Sequence, residues 1–370
     1  MSFLTTALHL DREPLDERLR SVTEADVLRA VGQEQIGEAG FLALLSPAAG
    51  AHLEAMARRA LNLTLRHFGR TIGLFTPLYV SNHCSNHCRY CGFAAKNGIA
   101  RSMLTLDEVR AEGEAIAATG LADLLLLTGE APHKAGVDYL EACVRTLRPL
   151  FPAISVEVFP METADYARLA EAGVTGLTVF QETYDPALYA QLHPAGPKRD
   201  YAFRLDTPQR GAEAGLRVVN IGALLGLADW RREIFATGLH AAWLLKRYPG
   251  VDVAVSLPRM RPHAGEFQPP HIVTDRELIQ AMTALRIFLP RLSITISTRE
   301  APSLRDNLLP LGVTRMSAGV STAVGGHAKP AETGQFEISD PRSVAEVCAM
   351  LRSRGYQPVF KDWEPLEASA

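Results

Sequence analysis

The stretches "ADLLLLT" (122–128), "VDYLEACVRTLRPLF" (137–151) and "ISVEVF" (154–159) decide the fold. The first is a short, nearly continuous apolar run. The second is longer and amphipathic at helical spacing, and the third alternates with period two. Strand, helical crossover and strand make a right-handed βαβ unit with parallel strands.

The unit recurs along the chain. Further strand candidates are "IGLFTPLYV" (72–80), "GLTVFQ" (176–181), "LRVVNIG" (216–222), "VDVAVSL" (251–257), "LSITIST" (292–298) and "GVTRMS" (312–317). Helical patterns lie between most of them. One, "LTLDEVRAEGEAIAATG", has Thr105 as N-cap and Glu108 three positions on; another, "YAFRLDTPQRGAEAG" (201–215), reads as a single helix. Eight parallel strands close as an α/β fold of the (β/α)8 TIM type, with an open doubly wound sheet as the alternative. In "ISVEVF" Ser155 and Glu157 share one face, and in "LSITIST" Ser293, Thr295 and Ser297 do. A parallel strand covered by helices is apolar outward, so these polar faces are expected to point into a filled barrel interior.

Residues 1–70 are expected to form an N-terminal helical layer, 71–318 the barrel, and 319–370 a C-terminal loop and helix packing on it. The Gly-rich stretch 319–341 follows the last strand, on the side where barrel active sites sit. A chain of 370 residues can bury this as one core, and a net charge of −3 with no basic stripe gives no reason to expect nucleic acid. No apolar run reaches the ~18–20 residues of a membrane span. The N-terminus lacks a basic n-region and a cleavage site, and five cysteines, three of them clustered, make no disulfide framework. The expected location is cytoplasmic.

The cluster is "YVSNHCSNHCRYCGF" (79–93), with the spacing Cys84-x3-Cys88-x2-Cys91. A structural zinc needs a fourth ligand, which His83 or His87 would have to supply, and on that reading the protein is a non-catalytic zinc-binding scaffold. An iron–sulfur cluster held by three thiolates leaves one iron open, and an open coordination position is what a catalytic metal site keeps for its substrate.

This triplet, with Tyr90 before its last cysteine and a barrel strand ahead of it, resembles the radical S-adenosylmethionine (radical SAM) superfamily. With "LLLLTGE", "VFQETY", "FRLDTPQR", "GALLGL", "SLPRMRP", "STRE" and "FKDW" in order, the chain is similar to the lyases that cut tyrosine to 2-iminoacetate for the thiazole ring of thiamine. The resemblance implies a 4Fe-4S cluster on Cys84, Cys88 and Cys91, with S-adenosyl-L-methionine chelated at the open iron and cleaved to methionine and a 5′-deoxyadenosyl radical. It places Tyr90, Gly129, Glu130, Glu182 and Arg204 at that cofactor: Glu130 on its ammonium, Glu182 on the ribose, Arg204 on the carboxylate. Thr128 stands where the wider superfamily has a first glycine. It places Tyr79, Arg299 and Ser317 in the pocket of an amino-acid substrate, L-tyrosine, whose Cα–Cβ bond is broken to give 2-iminoacetate and p-cresol. It also implies a thiazole synthase as protein partner and an external one-electron donor such as flavodoxin or ferredoxin.

Plainer readings stand beside these. Glu130 could cap a turn, Arg204 could be a surface residue paired with Asp200, and Arg299 could pair with Glu300. Tyr79 could be core and Ser317 a turn residue, while Arg259 and Arg261 fit either pocket or surface. The loop histidines carry no assigned role, and Cys143 and Cys348 sit on helical patterns as core residues. A relative acting on tryptophan is the competing lyase. The hydrogenase-maturase relative is disfavoured because no cysteine follows Cys348.

Overall fold

The computed structural model describes residues 2–263, 266–329 and 334–361. Eight strands close a barrel: β1 (Thr71–Ser81), β2 (Asp123–Thr128), β3 (Ala153–Glu157), β4 (Gly176–Glu182), β5 (Val218–Ala223), β6 (Asp252–Ser256), β7 (Ser293–Ile296) and β8 (Arg315–Ser317). Each pairs in parallel with the next, and β1 pairs with both β2 and β8, so the sheet has no free edge around the ring. The open-sheet alternative is thereby excluded.

The alternation read from sequence is present in space. Ile154 and Val156 are fully buried against the helices, while Ser155 and Glu157 face the barrel axis; Ile294 and Ile296 are buried while Thr295 and Ser297 face it. The interior is not filled, however. Ser155, Thr178, Asn220 and Ser256 are too short to meet across the axis, and they line a lumen instead. Alternation fixes which way side chains point, not how far they reach.

Thr105 caps its helix as expected: its hydroxyl accepts from the Glu108 amide at 3.3 Å, and the Glu108 carboxylate accepts from the Thr105 amide at 2.8 Å. The pattern over 201–215 is two helices, Tyr201–Leu205 and Thr207–Glu213. Pro208 lacks an amide hydrogen and would clash with the Arg204 carbonyl in a continuous helix, so the chain restarts at Asp206.

Residues 4–68 form five α-helices and one 3-10 helix that pack on the barrel's outer layer, with Phe41 stacked on Phe288 at 4.3 Å and Phe3 on His240 at 4.3 Å. One apolar core is continuous from Phe3 to Tyr356. After β8 the chain crosses the barrel mouth, where the Gly325 amide donates to the Tyr79 carbonyl at 2.9 Å. It then forms the helix Val344–Ser353 and β9 (Gln357–Val359), which pairs with Thr71–Gly73 of β1 and was not expected from sequence. The "FKDW" motif is only half described: Asp362 and Trp363 lie outside the described residues. No described helix is long and apolar enough to cross a membrane.

Candidate active site

The loop after β1 carries Cys84, Cys88 and Cys91, and all three line one pocket at the C-terminal ends of the strands. Gly129, Glu130, Glu182, Arg204 and Tyr90 line the same pocket. At Gly129, an added Cβ would fall 2.3 Å from the His83 carbonyl oxygen, so only glycine lets the β2 turn touch the cysteine loop. The Thr128 hydroxyl beside it is buried with no hydrogen-bond partner among the described residues.

Four charges interlock at the wall of this pocket. Arg204 Nη1 donates to Glu130 Oε1 at 2.8 Å and its Nε to the Phe180 carbonyl at 2.7 Å. Lys198 Nζ donates to Glu182 Oε1 at 2.6 Å, and Asn86 Nδ2 to Glu130 Oε2 at 2.8 Å. Burial opposes charge on both glutamates, yet the Arg204 and Lys198 cations hold both carboxyls below the usual range. Glu182 has φ +72 at a bulge against β5, a left-handed conformation that a glutamate adopts only where its surroundings impose it. The surface reading of Arg204 is thus corrected: Asp200 instead caps the helix, accepting from the Phe203 amide at 2.9 Å.

Tyr90 is buried, its hydroxyl 2.7 Å from His193 Nε2. His193 Nδ1 lies 2.8 Å from the Tyr189 carbonyl and so carries the ring hydrogen; Nε2 accepts from Tyr90.

The cysteine pocket opens into the lumen, and Tyr79, Glu157 and Arg299 stand where the two meet. Tyr79 donates to Gln335 Oε1 at 2.8 Å. Arg299 stacks on Phe336 at 3.6 Å, and among the described residues its guanidinium makes one hydrogen bond, a long one of 3.4 Å from Nη1 to the Arg259 carbonyl. The expected Glu300 partner belongs to Arg259, which also pairs with Asp275 at 2.8 Å. Arg259 is therefore structural, while Arg261 lines the cysteine pocket. Ser317 lies deeper in the lumen and accepts from the Thr298 amide at 3.2 Å.

The thiols suit an iron–sulfur cluster chemically. Burial pushes all three up, and for Cys88 and Cys91 the Lys198 cation is the first force drawing them back toward thiolate. Among the described residues no three His, Cys, Asp or Glu side chains crowd around a single ion. A four-iron cluster needs no such crowding, because its thiolates grip separate irons.

The radical SAM superfamily matches residues 78–237, and the biotin and thiamin synthesis associated domain matches 256–357. The chain is 40% identical to the 2-iminoacetate synthase of Escherichia coli K12 over 96% of its length and 95% of that protein's. It is 39% identical to that of Salmonella typhimurium LT2, with the same coverage. The chain belongs to the 2-iminoacetate synthase family. A solved FeFe-hydrogenase maturase, HydG, superposes with a TM-score of 0.89 at 32% identity, covering 95% of this chain and 80% of that one.

As a 2-iminoacetate synthase family member, the protein is a radical SAM carbon–carbon lyase, and the family implies a 4Fe-4S cluster and S-adenosylmethionine. Sequence reading singled out Tyr79, Tyr90, Gly129, Glu130, Glu182, Arg204, Arg299 and the three cysteines, which line the cysteine pocket, and Ser317, which lines the adjoining lumen. It missed Lys198, Asn86 and Gln335. Lys198 sits in "GPKRD", which reads as an ordinary exposed loop.

Proposed function

We propose that the enzyme breaks the Cα–Cβ bond of L-tyrosine, giving 2-iminoacetate and p-cresol for thiamine thiazole biosynthesis. The observation that carries this reading is Arg299, a guanidinium at the junction of cysteine pocket and lumen that no carboxylate pairs with among the described residues. Burial lowers its pKa, so a ligand carboxylate gripped by its two-pronged edge restores what desolvation removes. The aromatic ring then enters the lumen among Phe75, Leu125 and Phe180, and the hydroxyls of Ser155, Thr178 and Ser256 offer a phenol its partners.

On this reading Cys84, Cys88 and Cys91 hold the cluster, and Glu130, Glu182 and Arg204 line the adenosylmethionine. The bound pair supplies a hydrogen-abstracting radical, with 5′-deoxyadenosine and methionine as co-products. The protein aligns one substrate hydrogen with the cysteine side of the junction, and Gln335 and Phe336 shield it from water. Reducing electrons come from a donor such as flavodoxin or ferredoxin, in a cytoplasm that keeps the thiols reduced. Because 2-iminoacetate hydrolyses in water, a thiazole synthase that accepts it directly is the fitting protein partner.

The test is a product assay on anaerobic, iron-loaded protein with tyrosine, phenylalanine and tryptophan. Tyrosine should give p-cresol, and Cys84→Ala, Cys88→Ala or Cys91→Ala should each abolish 5′-deoxyadenosine while Cys143→Ala, in the core, does not. Turnover of tryptophan alone would overturn the tyrosine assignment.

A further inference from the structure

Glu157 closes β3 with its side chain toward the barrel axis. It is in register with Leu127 of β2, which is in register with Tyr79 of β1. It lines both the cysteine pocket and the lumen. The other carboxylates lining these spaces already have cations: Glu130 has Arg204, Glu182 has Lys198, Glu300 has Arg259, and Asp123 has Arg315. No hydrogen bond or ion pair joins the Glu157 carboxylate to a described residue.

The groups that face it are the Tyr79 phenol from β1, Glu182 from β4 and Arg299 from the end of β7, with Lys198 and Arg204 beyond. Burial, reinforced by the Glu182 charge, pushes the Glu157 carboxyl up to about 7, against the pull of Arg299, Lys198 and Arg204. A carboxyl poised near neutrality can take a proton at one stage and release it at another.

We propose that Glu157 is a further catalytic residue, which accepts a hydrogen bond from the substrate's α-amino group and takes the proton that makes this group a neutral amine. The inference rests on the amino-acid reading above, in which Arg299 holds the carboxylate of the same substrate. One N–H bond of the ammonium breaks and its electron pair stays on nitrogen. The proton forms an O–H bond on the Glu157 carboxylate and returns to solvent after the products leave. An ammonium has no lone pair to stabilise an electron-deficient nitrogen, so the neutral amine is the form from which a hydrogen atom can depart.

The test is calorimetric titration of the cluster-loaded enzyme with S-adenosylmethionine present and no reductant, so that nothing turns over. Three ligands are compared in the wild type and Glu157→Gln: tyrosine, phenylalanine, and 3-(4-hydroxyphenyl)propanoate, which lacks the amine. Glu157→Gln should weaken tyrosine and phenylalanine about 10- to 100-fold, the worth of a charged hydrogen bond. The deaminated acid should bind as before, which, with unchanged iron content, shows an intact fold. The acid limb of the kcat/KM profile near neutrality should also disappear in the variant. A loss that spares phenylalanine would put Glu157 at the phenol and overturn the proposal, as would equal loss for all three ligands or none for any. Undiminished binding of all three to Arg299→Ala would instead overturn the amino-acid reading on which the proposal stands.

Discussion

Arg299 sits over the ring of Phe336, its guanidinium carbon 3.6 Å from the ring centroid. The stack joins the turn after β7 to the segment after β8, and among the described residues only a long bond to the Arg259 carbonyl engages the N–H groups of the guanidinium. A lysine neither stacks nor forks in this way. Arg299→Lys should therefore cut p-cresol formation at least tenfold, and Arg299→Ala further, with iron content unchanged. Full tyrosine turnover in Arg299→Ala would remove it from the site.

Glu130 supplies a charge that two cations share, Arg204 at 2.8 Å and Lys198 at 3.7 Å. Replacing it by glutamine keeps the shape and the Asn86 contact but removes that charge. Glu130→Gln should weaken S-adenosylmethionine binding by roughly 2–5 kcal/mol. Titration of iron-loaded protein measures this, and an unchanged affinity would leave Glu130 with a purely structural part.

The β2 turn and the cysteine loop are in van der Waals contact through Gly129. A methyl group there would overlap the His83 backbone, which cannot swing away as a side chain could. Gly129→Ala should displace Cys84 and lower both the iron content and the melting temperature, read by iron analysis and calorimetry. Gly98→Ala, where an added Cβ meets nothing within 4 Å, should change neither.

His240 is buried between Phe3 and Tyr184, and burial lowers its pKa to about 3. The unfolded chain takes up a proton near pH 6.5, but the folded one resists until far lower. Between these values the unfolded state holds more protons, so stability is fully present above about pH 6.5 and falls as the solution is acidified toward 3. The slope should be about 1.4 kcal/mol per pH unit from this residue, and His193, also lowered to about 3 by burial, adds to it. Urea unfolding of the wild type at pH 7 and pH 5 should show this loss, and His240→Gln should make the slope shallower. Equal slopes would show that His240 is protonated in the folded state.

The barrel was legible because every strand carries its own apolar signal, and because eight such signals joined by helices have few closed solutions. The strand β9 was not, since "QPV" is too short to show a period and contains proline, which sheets tolerate only at an edge. The cysteine triplet and "TGE" could be read because local spacing carries their chemistry. Arg204 and Lys198 could not be distinguished from surface cations, because their partners lie 74 and 16 residues away in the chain. The alternative pairing of Arg299 with Glu300 fails for a related reason. Both residues lie in the turn after β7, and the guanidinium that reaches Glu300 there comes from Arg259, 41 residues earlier in the chain.

The pairing of β9 with β1 has a consequence for how the chain is made. Thr71–Gly73 leaves the ribosome early, yet the strand that covers its edge is centred on Pro358. At ordinary synthesis rates the wait is roughly 15–60 s. Throughout that interval the first barrel strand offers unpaired amides and carbonyls to whatever passes, a second nascent chain or a chaperone included. The closing of the ring by β8 on β1, and with it the joining of the cysteine loop to Gln335 and Phe336, likewise waits until more than 240 residues after Gly73 of β1 have been made.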